Sequence, residues 1–74
     1  AAPVYPGTVT KRGSKAKTRV KAIQAQLAER NYRVGPVDGD FGPMTEAAVK
    51  AFQTDAGLVA DGLVGPNTWR TLFG

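Results

Sequence analysis

The carboxylates and cations of this chain are its main candidates for chemistry, because it contains neither histidine nor cysteine. Without those residues the Ser/His/Asp and Cys/His constellations cannot be assembled, and the usual zinc ligands and proton shuttle are missing as well. The closest pair of acids is Asp38 and Asp40, in the stretch DGDFGPMT. Paired carboxylates cleave a glycosidic bond when a substrate cleft holds them roughly 5–9.5 Å apart. Here they sit two residues apart in a turn, a spacing that lets them point in different directions, and Asp38 has a turn to close. The alternating acids and closing glutamate of a calcium loop are absent, as is a glycine-rich phosphate loop followed by lysine. Ser14, the sole serine, reads as a helix cap. The expectation is a chain that is not an enzyme and that takes no metal and no cofactor. Binding remains, and its candidates are the polar and aromatic groups near the turns: Tyr32, Arg33, Asp40, Thr45, Asn67 and Arg70. Each also has a plain structural reading, Tyr32 as a core aromatic with one polar tip and the arginines as solvated surface.

The elements that must position these groups are helices. Asp38-Gly39 is a turn pair, and Gly42-Pro43 reads as the N-cap and first residue of a helix, where proline's missing N–H costs nothing. Winding the next residues at 100° each leaves one narrow polar sector, Glu46 and Lys50. Met44, Ala47, Ala48, Val49, Ala51 and Phe52 fill most of the rest. So wide an apolar arc predicts a central helix covered on more than one side, ending near Gly57. An earlier helix is expected from Ser14 to about Arg30, with Val20, Ile23 and Leu27 on its buried stripe, Gln24 at the edge of that stripe, and Asn31 in the left-handed position that ends it. Lys15 and Lys17 in its first turn oppose the helix dipole. A last helix, Pro66 to Phe73, places Trp69, Leu72 and Phe73 on one face. No stretch alternates with period 2, so little or no sheet is expected.

Two echoes tie these elements together. DGDFGPMT at 38–45 and DGLVGPNT at 61–68 share D-G-x-x-G-P-x-T, while VKAIQ at 20–24 and VKAFQ at 49–53 share V-K-A-x-Q. The order is helix, turn, helix, turn, helix, with one turn grammar and one helix grammar each used twice. This predicts an all-α, compact, closed three-helix bundle with pseudo-repeated turn–helix units; a solenoid would need at least three stacked units. The shared residues have structural roles: Asp38 and Asp61 bond backbone amides in their own turns, and Gly39 and Gly62 supply permissive dihedrals. Thr45 and Thr68 bond back toward the N-caps, and Gln24 and Gln53 satisfy loop carbonyls and amides. Phe41 plugs the space beneath the first turn. Its counterpart Val64 is smaller, which suggests a roomier first turn that floors a groove.

With 74 residues the chain has room for one small domain. Residues 1–12, with Pro3 and Pro6, read as an extended, linker-like lead-in that Val4, Tyr5 and Val9 can pin across the body, and residues 13–74 as the folded domain. The net charge of +4 is uneven. Lys11, Arg12, Lys15, Lys17, Arg19 and Lys21 come with no acid among them, while acids outnumber bases from Ala22 onward. Such an arm is either a solubilising linker or an attraction to a polyanion, whether cell-wall carboxylates or phosphates or nucleic acid. No run approaches the length of a membrane span. The chain opens without Met and without a signal-peptide pattern, so an excised or processed piece of a longer protein is expected.

At these motifs the chain resembles a known family. VKAIQ, DGDFGPMTEAAVKAFQ, the following GL and DGLVGPNTW are similar to the peptidoglycan-binding domain-like family, the three-helix cell-wall module appended to bacterial and phage lytic enzymes. The resemblance covers Gly13 to Leu72. It departs from the family pattern at Ala16, where a glycine is usual, and at Ile23, where a leucine is usual; both touch packing more than binding. The resemblance implies noncovalent binding of peptidoglycan, stem peptide and glycan, that targets an attached catalytic domain, a cell-wall hydrolase, to its substrate. It also implies an extracellular or periplasmic, wall-associated location or a phage lysin acting on the wall. It carries over Asp38, Gly39, Phe41, Gly42, Thr45 and Gln53; the candidate ligand-binding set is Tyr32, Arg33, Asp38, Gly39, Asp40, Phe41, Thr45, Gln53 and Arg70. The expected state is a monomer that contacts no membrane. A regulatory prodomain is the alternative, since metalloprotease propeptides look like the same fold, but a cysteine switch needs a cysteine. A nucleic-acid binder lacks its exposed stacking aromatics here.

Overall fold

The computed structural model describes residues 4–74; Pro3, part of the predicted lead-in, lies outside them. Three helices follow in order: α1 (Lys17–Glu29), α2 (Pro43–Asp55) and α3 (Pro66–Phe73). Among the described residues there is no strand, only one isolated antiparallel bridge between Thr10 and Val64. The three-helix expectation holds, and the predicted bounds of α3 are those observed.

The first helix begins later than Ser14. Its N-cap is Ala16, which makes no side-chain capping bond. The Ser14 hydroxyl instead accepts the amide of Ala16, two residues on, at 3.2 Å. Ser, like Asn and Asp, offers the backbone this local alternative to a helix, and here it closes the turn ahead of α1 rather than opening α1 itself. Asn31 does take the left-handed conformation, with φ of 70°. Around it the amide of Asn31 bonds Ala28 and that of Tyr32 bonds Leu27, a Schellman closure. Gly57 ends α2 by the same device, with Gly57 bonded to Thr54 and Leu58 to Gln53. The internal repeat thus extends past the shared sequence motifs into both helix C-termini.

Val20, Ile23 and Leu27 of α1 meet Val34, Phe41, Ala48, Val49 and Phe52 on one side and Val64, Trp69 and Leu72 on the other to form the core. The helix that packs most fully against both others is α1; α2 meets α3 more lightly, through contacts such as the Gln53–Thr68 bond. The apolar arc of α2 misleads because part of it is alanine. Ala47 and Ala51 are exposed, and Met44 is 46% exposed. Alanine favours a helix without demanding burial.

The segment before α1 lies across the body. Thr10 exchanges backbone bonds with Val64, and the amide of Gly13 bonds the carbonyl of Phe41. Phe41 and Val64 are equivalent residues of the two turn motifs, so the segment ties both corners at matching points. Tyr5 supplies the predicted side-chain pin, edge-on to Trp69 with ring centres 6.0 Å apart. Val4 and Val9 do not, being exposed.

Candidate binding site

Each corner is built around one glutamine. Gln24, 1% exposed, accepts the amide of Gly39 on Oε1 at 2.9 Å. Its Nε2 donates to the Asp40 carbonyl at 2.9 Å, to Thr45 Oγ1 at 3.0 Å and, at the 3.5 Å limit, to Asp38 Oδ1. Gln53 does the same one repeat later. It accepts from Gly62 and donates to the Leu63 carbonyl, Thr68 Oγ1 and Asp61 Oδ1, at 2.9–3.1 Å. In each corner the aspartate also accepts the amide two residues on, Asp40 in the first and Leu63 in the second. Thr45 and Thr68 therefore do not bond back to the N-caps as expected. Among the described hydrogen bonds the two hydroxyls serve the glutamines instead. A buried amide side chain with both ends engaged fixes a corner that backbone bonds alone leave open.

This geometry sorts the candidate residues. Gly39, Phe41, Thr45 and Gln53 are buried. Phe41 lies in the core cluster beneath the first turn, as expected. The corner directs its ring inward, where a large apolar side chain gains most from burial. Thr45 and Gln53 have their polar atoms committed to the corners. These four shape the surface rather than offer free groups. The exposed candidates of the first corner are Arg33, Asp38 and Asp40, with Tyr32 half-buried beside them.

The exposed groups surround two shallow depressions. One, of about 300 Å³, is lined by Tyr32, Arg33, Met44, Ala47, Ala48 and Ala51. The other, of about 250 Å³, has Asp38, Asp40, Pro36 and Thr45 in its walls and again includes Met44. Met44 joins them, although its place in the apolar arc of α2 predicts a covered side chain. The repeat carried the missing signal: the equivalent of Met44 in the second motif is Asn67, a polar residue that is also exposed. Arg70 and Asn67 lie away from this face, on α3, and line neither depression.

Tyr32 is held in place from two sides. Its hydroxyl donates to Asp55 Oδ2 at 2.6 Å, and its ring stands edge-on to Phe52 at 5.8 Å. That hydrogen bond holds the phenol protonated and raises its pKa above the ordinary 10.0. Asp38 shifts the other way. The Asp40 amide donates to its carboxylate, and this bond, aided by Gln24 and the charge of Lys17, holds its pKa below the ordinary 3.8. The result is a fixed face with separate positive and negative ends, a thioether and alanine methyls between them, and no nucleophile–base pair.

A three-helix body with two glutamine-locked corners and a shallow polar face defines a binding module. The chain belongs to the family described as "Putative peptidoglycan binding domain", whose model matches residues 16–72. Among its relatives is the N-acetylmuramoyl-L-alanine amidase CwlM of Mycobacterium tuberculosis, 43% identical over 54 residues, which are 73% of this chain and 13% of that protein. Among solved structures, the SleB N-terminal domain matches with a TM-score of 0.86 at 35% identity, covering 93% of each chain. An endolysin of Burkholderia AP3 phage matches with a TM-score of 0.74 at 40% identity, covering 88% of this chain and 24% of that one. The chain spans less than half the length of the first curated relatives it matches.

Proposed function

We propose that this domain binds peptidoglycan noncovalently and holds an attached catalytic domain, a cell-wall hydrolase, at its substrate. The observation that carries the reading is the match of residues 16–72 to the peptidoglycan-binding family, together with that family's presence in an amidase and a phage endolysin. We assign the contact surface to the first corner: Arg33 and Tyr32 at one end, Asp38 and Asp40 at the other, with Met44 between. Neither Arg33 nor the Asp40 carboxylate is committed to a described hydrogen bond or ion pair, so both are free to pair with a ligand. A stem peptide offers amides, methyl groups, free carboxylates and, in some chemistries, an amine, which such a face can match. One copy binds weakly, on the order of micromolar to millimolar. A repeating polymer and a tether raise the effective concentration of the enzyme enough to make weak binding sufficient. The domain acts as a monomer at the cell wall.

The test is co-sedimentation with purified sacculi stripped of attached anionic polymers, in moderate and high salt. The wild type should sediment in both, and Arg33→Glu with Asp40→Ala should reduce capture about tenfold without changing the helical signal. Absence of wild-type sedimentation would favour the prodomain alternative, and full capture of the double variant would remove the first corner from the site.

A further inference from the structure

The six cations of residues 11–21 are not on a loose arm. The turn that closes from Ser14 to Lys11, the Gly13 bond to Phe41 and the Thr10–Val64 pair hold the segment against the body. Arg12 is neutralised by Glu46 at 3.6 Å. Lys11, Lys15, Lys17, Arg19 and Lys21 form no ion pair with a described residue. Lys17 and Lys21 are one helical turn apart on α1, a spacing of about 5–6 Å between Cβ atoms. Lys17 and Arg19 both line a depression of about 430 Å³ beside Trp69. The molecule measures only 26 × 23 × 21 Å, so these five cations, of which Lys17 also acts on the nearby Asp38 carboxylate, are within about one or two Debye lengths of one another. The rest of the chain carries four bases against six acids. This polarity is that of a surface built to meet a polyanion.

We infer that this basic surface is a second binding surface, adjoining the first corner, for a polymer that carries a phosphodiester in each repeat and is attached to the wall. The inference rests on the wall-binding reading for the location of that polymer. A phosphate chain, with a charge in every repeat, matches closely spaced cations better than carboxylates set on separate stem peptides along a neutral glycan. Nucleic acid shares the phosphate chemistry but gains most from stacking its bases. The aromatics nearest this surface are committed: Tyr5 and Phe73 pack against Trp69, which is itself 95% buried.

The experiment compares the wild type with Lys15→Glu/Arg19→Glu/Lys21→Glu, a variant that leaves Lys17 and the first corner intact. Binding is measured to polymer-bearing sacculi, to stripped sacculi, to inorganic polyphosphate and to single-stranded DNA across a salt series. Thermal melting confirms that both proteins are folded. The wild type should bind polymer-bearing sacculi about ten times more tightly than stripped ones at low salt. The variant should lose that advantage, bind stripped sacculi as the wild type does, and show a slope of log K against log salt on polyphosphate shallower by about 2. Equal affinity of the wild type for both kinds of sacculi would overturn the inference. So would tighter binding to DNA than to the wall polymer, which would reassign the surface to nucleic acid. Failure on stripped sacculi alone would instead count against the peptidoglycan reading.

Discussion

At the scale of single residues the corners make sharp demands. Gly39 has φ of 81°, and a Cβ there would come within 3.0 Å of the Lys17 carbonyl oxygen, a backbone atom that cannot step aside. Gly62 is its repeat partner with φ of 76°, but the nearest atoms to a Cβ there belong to the Glu46 and Lys50 side chains rather than to backbone. Alanine strains both positions through φ, and the first carries a steric penalty in addition. Gly39→Ala should therefore lower the thermal midpoint clearly more than Gly62→Ala; equal losses would show that the backbone contact is of no consequence. The glutamines should behave alike. Gln24→Ala and Gln53→Ala each leave a buried glycine amide and a loop carbonyl unpaired, at about 3 kcal/mol by denaturant unfolding. The Asp38 carboxylate has a folded pKa below its ordinary 3.8, so its contribution is complete above that value and is lost as pH falls through the lower, folded one. A plot of melting temperature against pH should drop in that acid window, and Asp38→Asn should flatten the drop.

At the scale of elements, α3 is the weakest part by itself. Eight residues make little more than two turns, too short to persist alone. Its end is secured by α1. Arg30 donates to the Leu72 carbonyl from Nε at 3.1 Å and from Nη2 at 2.9 Å, and Gln26 adds a bond to the same oxygen at 3.1 Å. A cation at a helix C-terminus also meets the negative end of the dipole. The Arg30 guanidinium lies 5.7 Å from the centre of the Phe52 ring, so one side chain touches all three helices. Arg30→Ala should cost about 1–2 kcal/mol, less than a glutamine deletion because Gln26 still serves the carbonyl. A neutral result in urea unfolding would show that α3 is held by its apolar face alone. The helices, their order, and the ends of α1 and α3 were legible in the sequence because proline, glycine and asparagine mark termini locally. The role of Arg30 was not, because its partners are 41 and 42 residues away and nothing local marks them. The start of α1 was misplaced because a serine can close a turn as readily as cap a helix.

At the scale of the whole molecule, the two D-G-x-x-G-P-x-T motifs announced the pseudo-symmetry, and the structure shows how it is made. Each motif is clamped by the glutamine of the preceding V-K-A-x-Q. The segment before α1 joins both corners at Phe41 and Val64. The choice of α2 as the central helix failed because periodicity counts alanine as apolar without regard to burial. Phe41 sits in the core beneath the first turn, as its size and apolar character predict, because a large side chain gains most from burial. The candidate set mixed residues that build the corner with residues the corner displays, a distinction only burial can make. The account's central claim is that the displayed set of the first corner is the peptidoglycan contact. The most direct measurement is a titration of the isotope-labelled domain with soluble muropeptides, followed by amide shifts. The account predicts saturable shifts at Tyr32, Arg33 and residues 38–45, with the exposed side of α3 around Arg70 unmoved. Shifts confined to α3, or none up to millimolar ligand, would contradict it.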